Sequence, residues 1–155
     1  MLLLDSLPAD ALTALRTEAP SFTAWDLDRY TSSLLQAAAA APGQGLTVVR
    51  AAFRQVGALD YVLIGFDKRL HGIRIIAILS DSAHRYRVAS VSDGPDRADS
   101  LAKVPDRYLT FETSPKTGTS DLVVLPMIAD PSMRGLGRYA WDATRSGFFL
   151  VSPND

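Results

Sequence analysis

The sequence predicts an α+β fold, in which two N-terminal helices pack on an antiparallel β-sheet meander of about six or seven strands. Three observations support this class. Apolar residues recur at helical spacing only before residue 45, apolar runs of strand length follow from Leu46 onward, and short polar turns separate those runs. We expect one domain over residues 1–155, helical at 1–45 and sheet at 46–155, because a chain of 155 residues with 47% apolar content can form one core.

The N-terminal part is predicted to contain the two helices. Ser6-Leu7-Pro8-Ala9-Asp10 resembles a helix start, and Pro20 ends that segment. The second helix is indicated by three- and four-residue spacing of Leu27, Tyr30, Leu34 and Ala38. The alanines at 37–41 extend it, and Pro42-Gly43 stops it. We expect these alanines to pack closely against the sheet.

Three runs at residues 59–66, 73–79 and 86–91 indicate the antiparallel meander. The run 73–79 is apolar at nearly every position, which predicts a strand inside the sheet with both faces covered. The expected core residues of the meander are Leu63, Ile76, Ile78 and Val88. Further strands are expected at 46–54, 107–113, 121–128, 138–141 and 148–152, and Pro126 is expected to put its strand at an edge or a bulge. A long polar link at 92–106 separates the two groups of strands.

Composition excludes several classes of protein. The 16 basic and 17 acidic residues are interspersed and give a formal net charge of −1, so we expect no nucleic-acid partner. The absence of cysteine excludes disulfides, thiolate metal sites and a cysteine nucleophile. No window approaches the roughly 20 apolar residues of a membrane span. The abundance of Ala, Arg and Asp is typical of a GC-rich bacterial genome.

No group of residues has the spacing of a catalytic or metal site. The two histidines, His71 and His84, flank a predicted strand, which places them on the order of 30 Å apart. The only glutamates, Glu18 and Glu112, lie in different parts of the chain, and no nucleophile elbow, phosphate loop or dinucleotide motif occurs. We therefore expect a protein that is not an enzyme and that needs no cofactor and no metal.

The best candidate contact surface is the loop at 129–137 together with the closing hairpin. Its candidate binding residues are Met133, Arg134, Tyr139 and Trp141. Methionine adapts to a partner, arginine makes forked bonds to a carboxylate, and tyrosine and tryptophan dominate binding hot spots. The alternative is that Tyr139 and Trp141 fill the core. The same loop reads Arg134-Gly135-Leu136-Gly137-Arg138, which is either an anion cradle or a flexible connection.

Two parts of the chain resemble a group of small secreted bacterial proteins of unknown function. The meander begins Leu59-Asp60-Tyr61-Val62-Leu63-Ile64-Gly65-Phe66, which is similar to an FG-GAP-like segment, and the chain closes with Tyr139-Ala140-Trp141-Asp142, Gly147-Phe148-Phe149 and Ser152-Pro153-Asn154-Asp155. Of the acidic loop that holds calcium in the FG-GAP pattern, only Asp60 remains, so we expect no calcium site. The resemblance implies a periplasmic or secreted protein whose signal has been removed, and no activity. Residues 1–5 are not themselves a signal peptide, and without a removed signal the expected location is the cytoplasm.

Together these observations favour a non-enzymatic protein of the bacterial cell envelope that acts by protein–protein binding. The form we expect is an inhibitor or immunity factor for a secreted toxin. The alternative is a periplasmic protein that binds a small molecule, and a hydrolase is the third choice.

Overall fold

The computed structural model describes residues 1–82, 85–93, 99–128 and 136–151. In this part of the chain most of the regular structure is antiparallel β-sheet. After a 3-10 turn at Leu4–Ser6, the elements are α1 (Ala9–Glu18), β1 (Phe22–Ala24), α2 (Ser32–Ala39), β2 (Val48–Gln55), β3 (Ala58–Asp67), β4 (Gly72–Ser82), β5 (Arg85–Asp93), α3 (Asp99–Ala102), β6 (Arg107–Thr113), β7 (Ser120–Pro126), β8 (Gly137–Asp142) and β9 (Gly147–Leu150).

The strands of the described residues form two sheets rather than one. In the first sheet, β2, β3, β4 and β5 are neighbours in chain order, and β1 lies beside β2 along the same edge of β3. In the second sheet, β6, β7, β8 and β9 are also neighbours in chain order. The prediction of antiparallel meanders is therefore confirmed, but the single sheet of six or seven strands is wrong. The chain leaves the first sheet after β5 and starts the second sheet at β6. The sequence pattern did not predict β1, because this strand is too short to be recognised.

The two sheets and α1 form three layers with the first sheet in the middle. The cluster between the sheets contains residues from both of them, among them Phe53, Ile64, Leu79, Leu109 and Leu122. The opposite face of the first sheet packs against α1 through a second cluster that includes Leu7, Ala11, Leu15, Tyr61, Leu63, Ile76 and Ile78. Because β3 and β4 contribute to both clusters, their continuous apolar runs are explained by burial on both faces.

As predicted, β4 lies inside the sheet, because it pairs with β3 on one side and with β5 on the other. Leu63, Ile76 and Ile78 are fully buried. Val88 is only half-buried, because it lies on β5, which is the edge strand of this sheet.

Helix α2 differs from its prediction in length and in position. It begins at Ser32, where the N-cap residue Thr31 accepts a hydrogen bond from the Leu34 N–H (3.3 Å). Tyr30 precedes the helix, and its hydroxyl donates to the Arg107 carbonyl (2.7 Å). The helix packs with Leu46 and with Tyr108 of the second sheet. The apolar spacing from Leu27 onward therefore reflects a segment anchored to β6 and not a longer helix on the first sheet.

Pro126 ends β7 without making it an edge strand. β7 lies between β6 and β8, contrary to expectation. The pairing of β7 with β8 covers only 122–124 on β7, so the missing N–H of Pro126 falls beyond that ladder and breaks none of its hydrogen bonds.

The two ends of the sheets carry different sets of connections. At one end, which we call the hairpin end, Val56 of the β2–β3 turn lies close to Gly118 of the β6–β7 turn, and Arg54 lies close to Trp141 beside the β8–β9 turn. At the other end, which we call the loop end, β1, the β3–β4 turn and α3 come together. No helix in the described part of the chain is long and apolar enough to span a membrane.

Candidate functional site: an open groove between two strand edges

The two sheets are joined on one side only near the middle of their length. The Leu109 N–H of β6 donates to the Leu46 carbonyl (2.9 Å), and the Gln44 side chain bonds both to the Leu109 carbonyl (2.7 Å) and to the Thr110 hydroxyl (2.9 Å). Toward the hairpin end, β2 and β6 are not hydrogen-bonded to each other and enclose an open cavity of about 280 Å³. We call this cavity the edge groove; it is lined by residues that include Arg50, Ala52, Leu59, Phe111, Thr113 and Ser120.

The edge of β6 that faces this groove carries unpaired backbone groups. Hydrogen bonds from Met127 to Asp106 and from Ser114 to Thr119 fix the ladder, so alternate residues of β6 face β7. Phe111 and Thr113 point their N–H and C=O groups the other way, and no described residue hydrogen-bonds to them there. An unpaired edge of this kind is a template for a further strand.

Arg50 supplies a positive charge at the end of the edge groove that lies away from the hairpin end. Its backbone N–H donates to the Gly43 carbonyl (2.8 Å), and the residue is half-buried. It also lines a second cavity of about 360 Å³ that is formed with Met1, Leu2 and the alanines after α2. Arg50 forms no ion pair with any described residue. A half-buried guanidinium without a partner is suited to a carboxylate, which accepts two parallel hydrogen bonds from it.

Gly43 fixes the wall beside Arg50. Its φ of +75° lies in the left-handed region, and a Cβ at this position would lie 2.4 Å from the Arg50 carbonyl oxygen. Only glycine permits both the turn and the close approach to β2. The Pro42-Gly43 stop signal seen in the sequence therefore also closes one end of the groove.

The rim of the edge groove at the hairpin end is apolar and exposed. Leu59 is 49% exposed and lines the groove, and Val56 is 67% exposed in the adjacent turn. A Cβ at Gly118 would lie 2.7 Å from Val56 Cγ2, so the β2–β3 turn and the β6–β7 turn are in contact at this rim. The groove thus combines an apolar rim, an unpaired strand edge and a cation, which is the combination that recognises an extended peptide.

Two of the four predicted binding residues, Tyr139 and Trp141, lie on the inner face of β8. Both are half-buried and pack against the cluster between the sheets. The Trp141 ring centroid is 5.2 Å from that of Phe148 and 5.7 Å from Arg54 Cζ. The structure therefore packs these two half-buried residues against the core, and their role in binding stays a prediction. Met133 and Arg134 lie outside the described residues.

A row of aromatic rings connects Trp141 with the edge groove. Phe53 makes edge-to-face contacts with Phe148 (centroids 6.1 Å apart) and with Phe111 (6.4 Å), and Phe111 lines the groove. Such contacts hold rings in fixed relative positions. The predicted hairpin and the observed groove are thus parts of one packed interior.

Sequence reasoning missed an ion pair at the hairpin end. Asp60 is fully buried, accepts two hydrogen bonds from the Arg54 guanidinium (2.8 and 2.9 Å), and accepts a third from the Ser80 N–H (2.8 Å). The hydrogen bond to Asp60 raises the pKa of Arg54 further, against the effect of burial. An aspartate inside an otherwise apolar strand, with an arginine across the hairpin, is the signal that could have found the pair.

The described residues contain no other obvious reactive site. They include no cluster of three or more His, Asp or Glu side chains that could hold a metal ion. Arg138, part of the proposed anion cradle, bonds to Glu112 and to Asp121 (3.1 Å). His71 lies in the β3–β4 turn with a φ of 55°, and His84 lies outside the described residues. No protein-family model, no curated protein and no solved structure matches this chain.

Proposed function

We propose that the protein acts by binding another protein, and that an extended segment of this partner adds as a strand to β6 in the edge groove. The observation that carries the proposal is the half-buried Arg50, which has no ion-pair partner among the described residues and lies at the end of a strand edge that no described residue pairs with. Backbone hydrogen bonds supply affinity in such complexes, and side-chain pockets supply specificity.

The geometry of the groove defines the chemistry of the segment. Phe111 and Thr113 are two residues apart on β6, so their outward backbone groups span about 7 Å and engage a segment of at least three residues. A carboxylate on this segment pairs with Arg50, and an apolar side chain covers Leu59. The partner segment is therefore extended, acidic at one position and apolar at another.

Within this proposal, the protein is an inhibitor or immunity factor for a secreted toxin and works in the cell envelope. The resemblance of the meander and of the closing hairpin to small secreted bacterial proteins supports the envelope location alone, and the edge groove supports inhibition by binding.

The first experiment tests Arg50 against a matched arginine. The tagged protein is used to capture partners from the lysate and secretome of the source organism, and the affinity of the captured partner is measured for the wild type, Arg50→Glu and Arg145→Glu. Arg145 is 83% exposed in the β8–β9 turn and serves as the control. We expect stoichiometric capture by the wild type and by Arg145→Glu and loss of capture by Arg50→Glu. Unchanged affinity in a folded Arg50→Glu variant excludes the edge groove as the binding site. Failure to capture any partner contradicts the proposed function.

The second experiment tests strand addition itself. The Thr113 N–H points away from β7, so Thr113→Pro removes a donor from the groove without removing a bond of the β6–β7 ladder. Thr113→Ala removes only the bond between the Thr113 and Ser120 hydroxyls (2.8 Å) and is the control. We expect Thr113→Pro to abolish binding and Thr113→Ala to retain it. Equal binding by both variants would show that the partner does not pair with β6.

A further inference from the structure

A separate cavity of about 450 Å³ lies at the loop end, far from the edge groove along the strands. It is bounded by β1, by the β3–β4 turn and by the segment after α3. We call it the lysine cleft and define it by Ser21, Trp25, Asp26, Phe66, Lys68 and Lys103. Its volume lies within the range of about 300–1,000 Å³ that is usual for small-molecule sites.

The cleft concentrates positive charge. The chain has three lysines, and two of them, Lys68 and Lys103, line this one cavity. Both are exposed, and neither forms an ion pair with a described residue. The Lys103 ammonium lies 5.1 Å from the centroid of the Phe66 ring, which holds it at the cavity by a cation–π contact.

The nearest buried carboxylate does not neutralise these lysines. Asp67 accepts hydrogen bonds from Ser21 (2.8 Å), from Arg74 (2.9 Å) and from the backbone of the β3–β4 turn. Its charge is therefore already balanced inside the protein. Asp26 is the only carboxylate among the described residues that line the cleft, so within this part of the chain the two lysines leave an excess of positive charge.

The walls of the cleft are apolar and firmly placed. The Trp25 indole N–H donates to the Ala102 carbonyl (2.8 Å), which ties the residue after β1 to the end of α3. The backbone of β1 lies so close to β3 that a Cβ at Gly65 would be 2.1 Å from the Thr23 carbonyl oxygen. A cavity whose walls are fixed in advance loses little entropy when it binds a ligand.

We propose that the lysine cleft binds a small organic anion, one with a carboxylate or sulfonate group on an apolar body. The anionic group pairs with the ammonium groups of Lys68 and Lys103, and the apolar body contacts Trp25 and Phe66. An inorganic anion lacks the apolar part and binds weakly. This site is independent of the edge groove, since it uses other residues at the opposite end of the sheets.

Fluorescence titration with 1-anilinonaphthalene-8-sulfonate tests the proposal, because this probe carries a sulfonate on an apolar ring system. We expect saturable binding to the folded wild type, competition by octanoate and no competition by sulfate at equal ionic strength. The variant with both Lys68→Glu and Lys103→Glu should bind the probe about tenfold or more weakly, which is a loss of about 1.4 kcal/mol or more. The variant with both Lys116→Glu, in the β6–β7 turn, and Arg145→Glu, in the β8–β9 turn, carries the same change of net charge, so it is the matched control and should bind as the wild type does.

Each remaining outcome overturns the proposal. Unchanged probe affinity in the folded double variant places the probe elsewhere, and the absence of saturable binding to the wild type shows that the cleft holds no such anion. An equal loss in the control variant with Lys116→Glu and Arg145→Glu reveals a response to net charge instead of a site. Thermal unfolding of each variant confirms that the compared proteins are folded.

Discussion

The arginines of this protein differ in what their guanidinium groups contact. Arg54, Arg74 and Arg138 each bond to carboxylates, and the side chains of Arg54 and Arg74 are only 16% and 12% exposed. Arg50 is also half-buried and yet contacts no described carboxylate. Since desolvating a cation without a partner is costly, this contrast is the reason for assigning Arg50 to recognition and Arg54 to stability.

Replacing Arg54 by alanine is expected to destabilise the protein strongly. The change leaves the fully buried Asp60 carboxylate without its two guanidinium hydrogen bonds, and breaking a buried pair in this way costs roughly 3–5 kcal/mol. Urea unfolding measures the loss. Arg87→Ala is the control, because its pair with Asp81 is exposed and contributes about 0–1 kcal/mol. Similar losses in the two variants would contradict the assignment.

Asp67 is expected to make stability depend on pH. Burial acts to raise its pKa, but hydrogen bonds from Ser21, Arg74 and two backbone amides outweigh burial and lower the pKa below its ordinary value of 3.8. A carboxyl with a lowered folded-state pKa stabilises the protein above the unfolded-state value and loses this contribution as pH falls toward the folded-state value. The free-energy difference between the wild type and Asp67→Asn should therefore be constant near neutral pH and shrink below 3.8. A difference that grows on acidification contradicts this.

Among the elements, strands were more predictable than helices. The runs around β3, β4 and β6 were recognisable because apolar residues fill or alternate along them, and 107–113 has the bounds of β6 itself. The length of helix α2 was overestimated, because Tyr30 has helical spacing but lies before the helix and anchors the chain to Arg107. The division into two sheets depends on contacts between distant segments, such as Leu46 with Leu109, which no local pattern encodes.

Truncation of Ile76 tests the burial of the central strand against α1. Ile76 is fully buried on β4, between the first sheet and α1, so Ile76→Ala is expected to cost roughly 2–5 kcal/mol. Ile128→Ala is the matched control, because Ile128 is 74% exposed and its change should stay within about 0.5 kcal/mol. Chemical denaturation of both variants gives the comparison, and a small loss for Ile76→Ala would contradict the layered core.

At the scale of the whole molecule, the two candidate sites occupy opposite ends of the sheets. The edge groove lies toward the hairpin end and the lysine cleft at the loop end. The sequence pointed to the closing hairpin through Tyr139 and Trp141, whose half-buried side chains pack against the cluster between the sheets. Arg50 and Lys103 were not singled out, because a lone basic residue carries no local signature and becomes notable only when folding leaves it in a cavity without an ion-pair partner among the described residues.

The fold is expected not to depend on a divalent ion. The chain has no cysteine, and Asp60, the single acidic residue of the run 59–66, is bound by Arg54. The melting temperature should therefore stay the same in excess EDTA and on addition of calcium or zinc. A rise of many degrees with one of these ions would contradict this, because a ligand specific to the native state stabilises it by mass action.

The most direct test of strand addition is amide hydrogen exchange on the complex with the captured partner. If the partner pairs with β6, the Phe111 and Thr113 amides, which face the edge groove, become protected when the partner binds. The amides of the β8–β9 turn at 143–146 should exchange as in the free protein. Binding of the partner without added protection at Phe111 and Thr113 would contradict the proposal that its segment extends the second sheet.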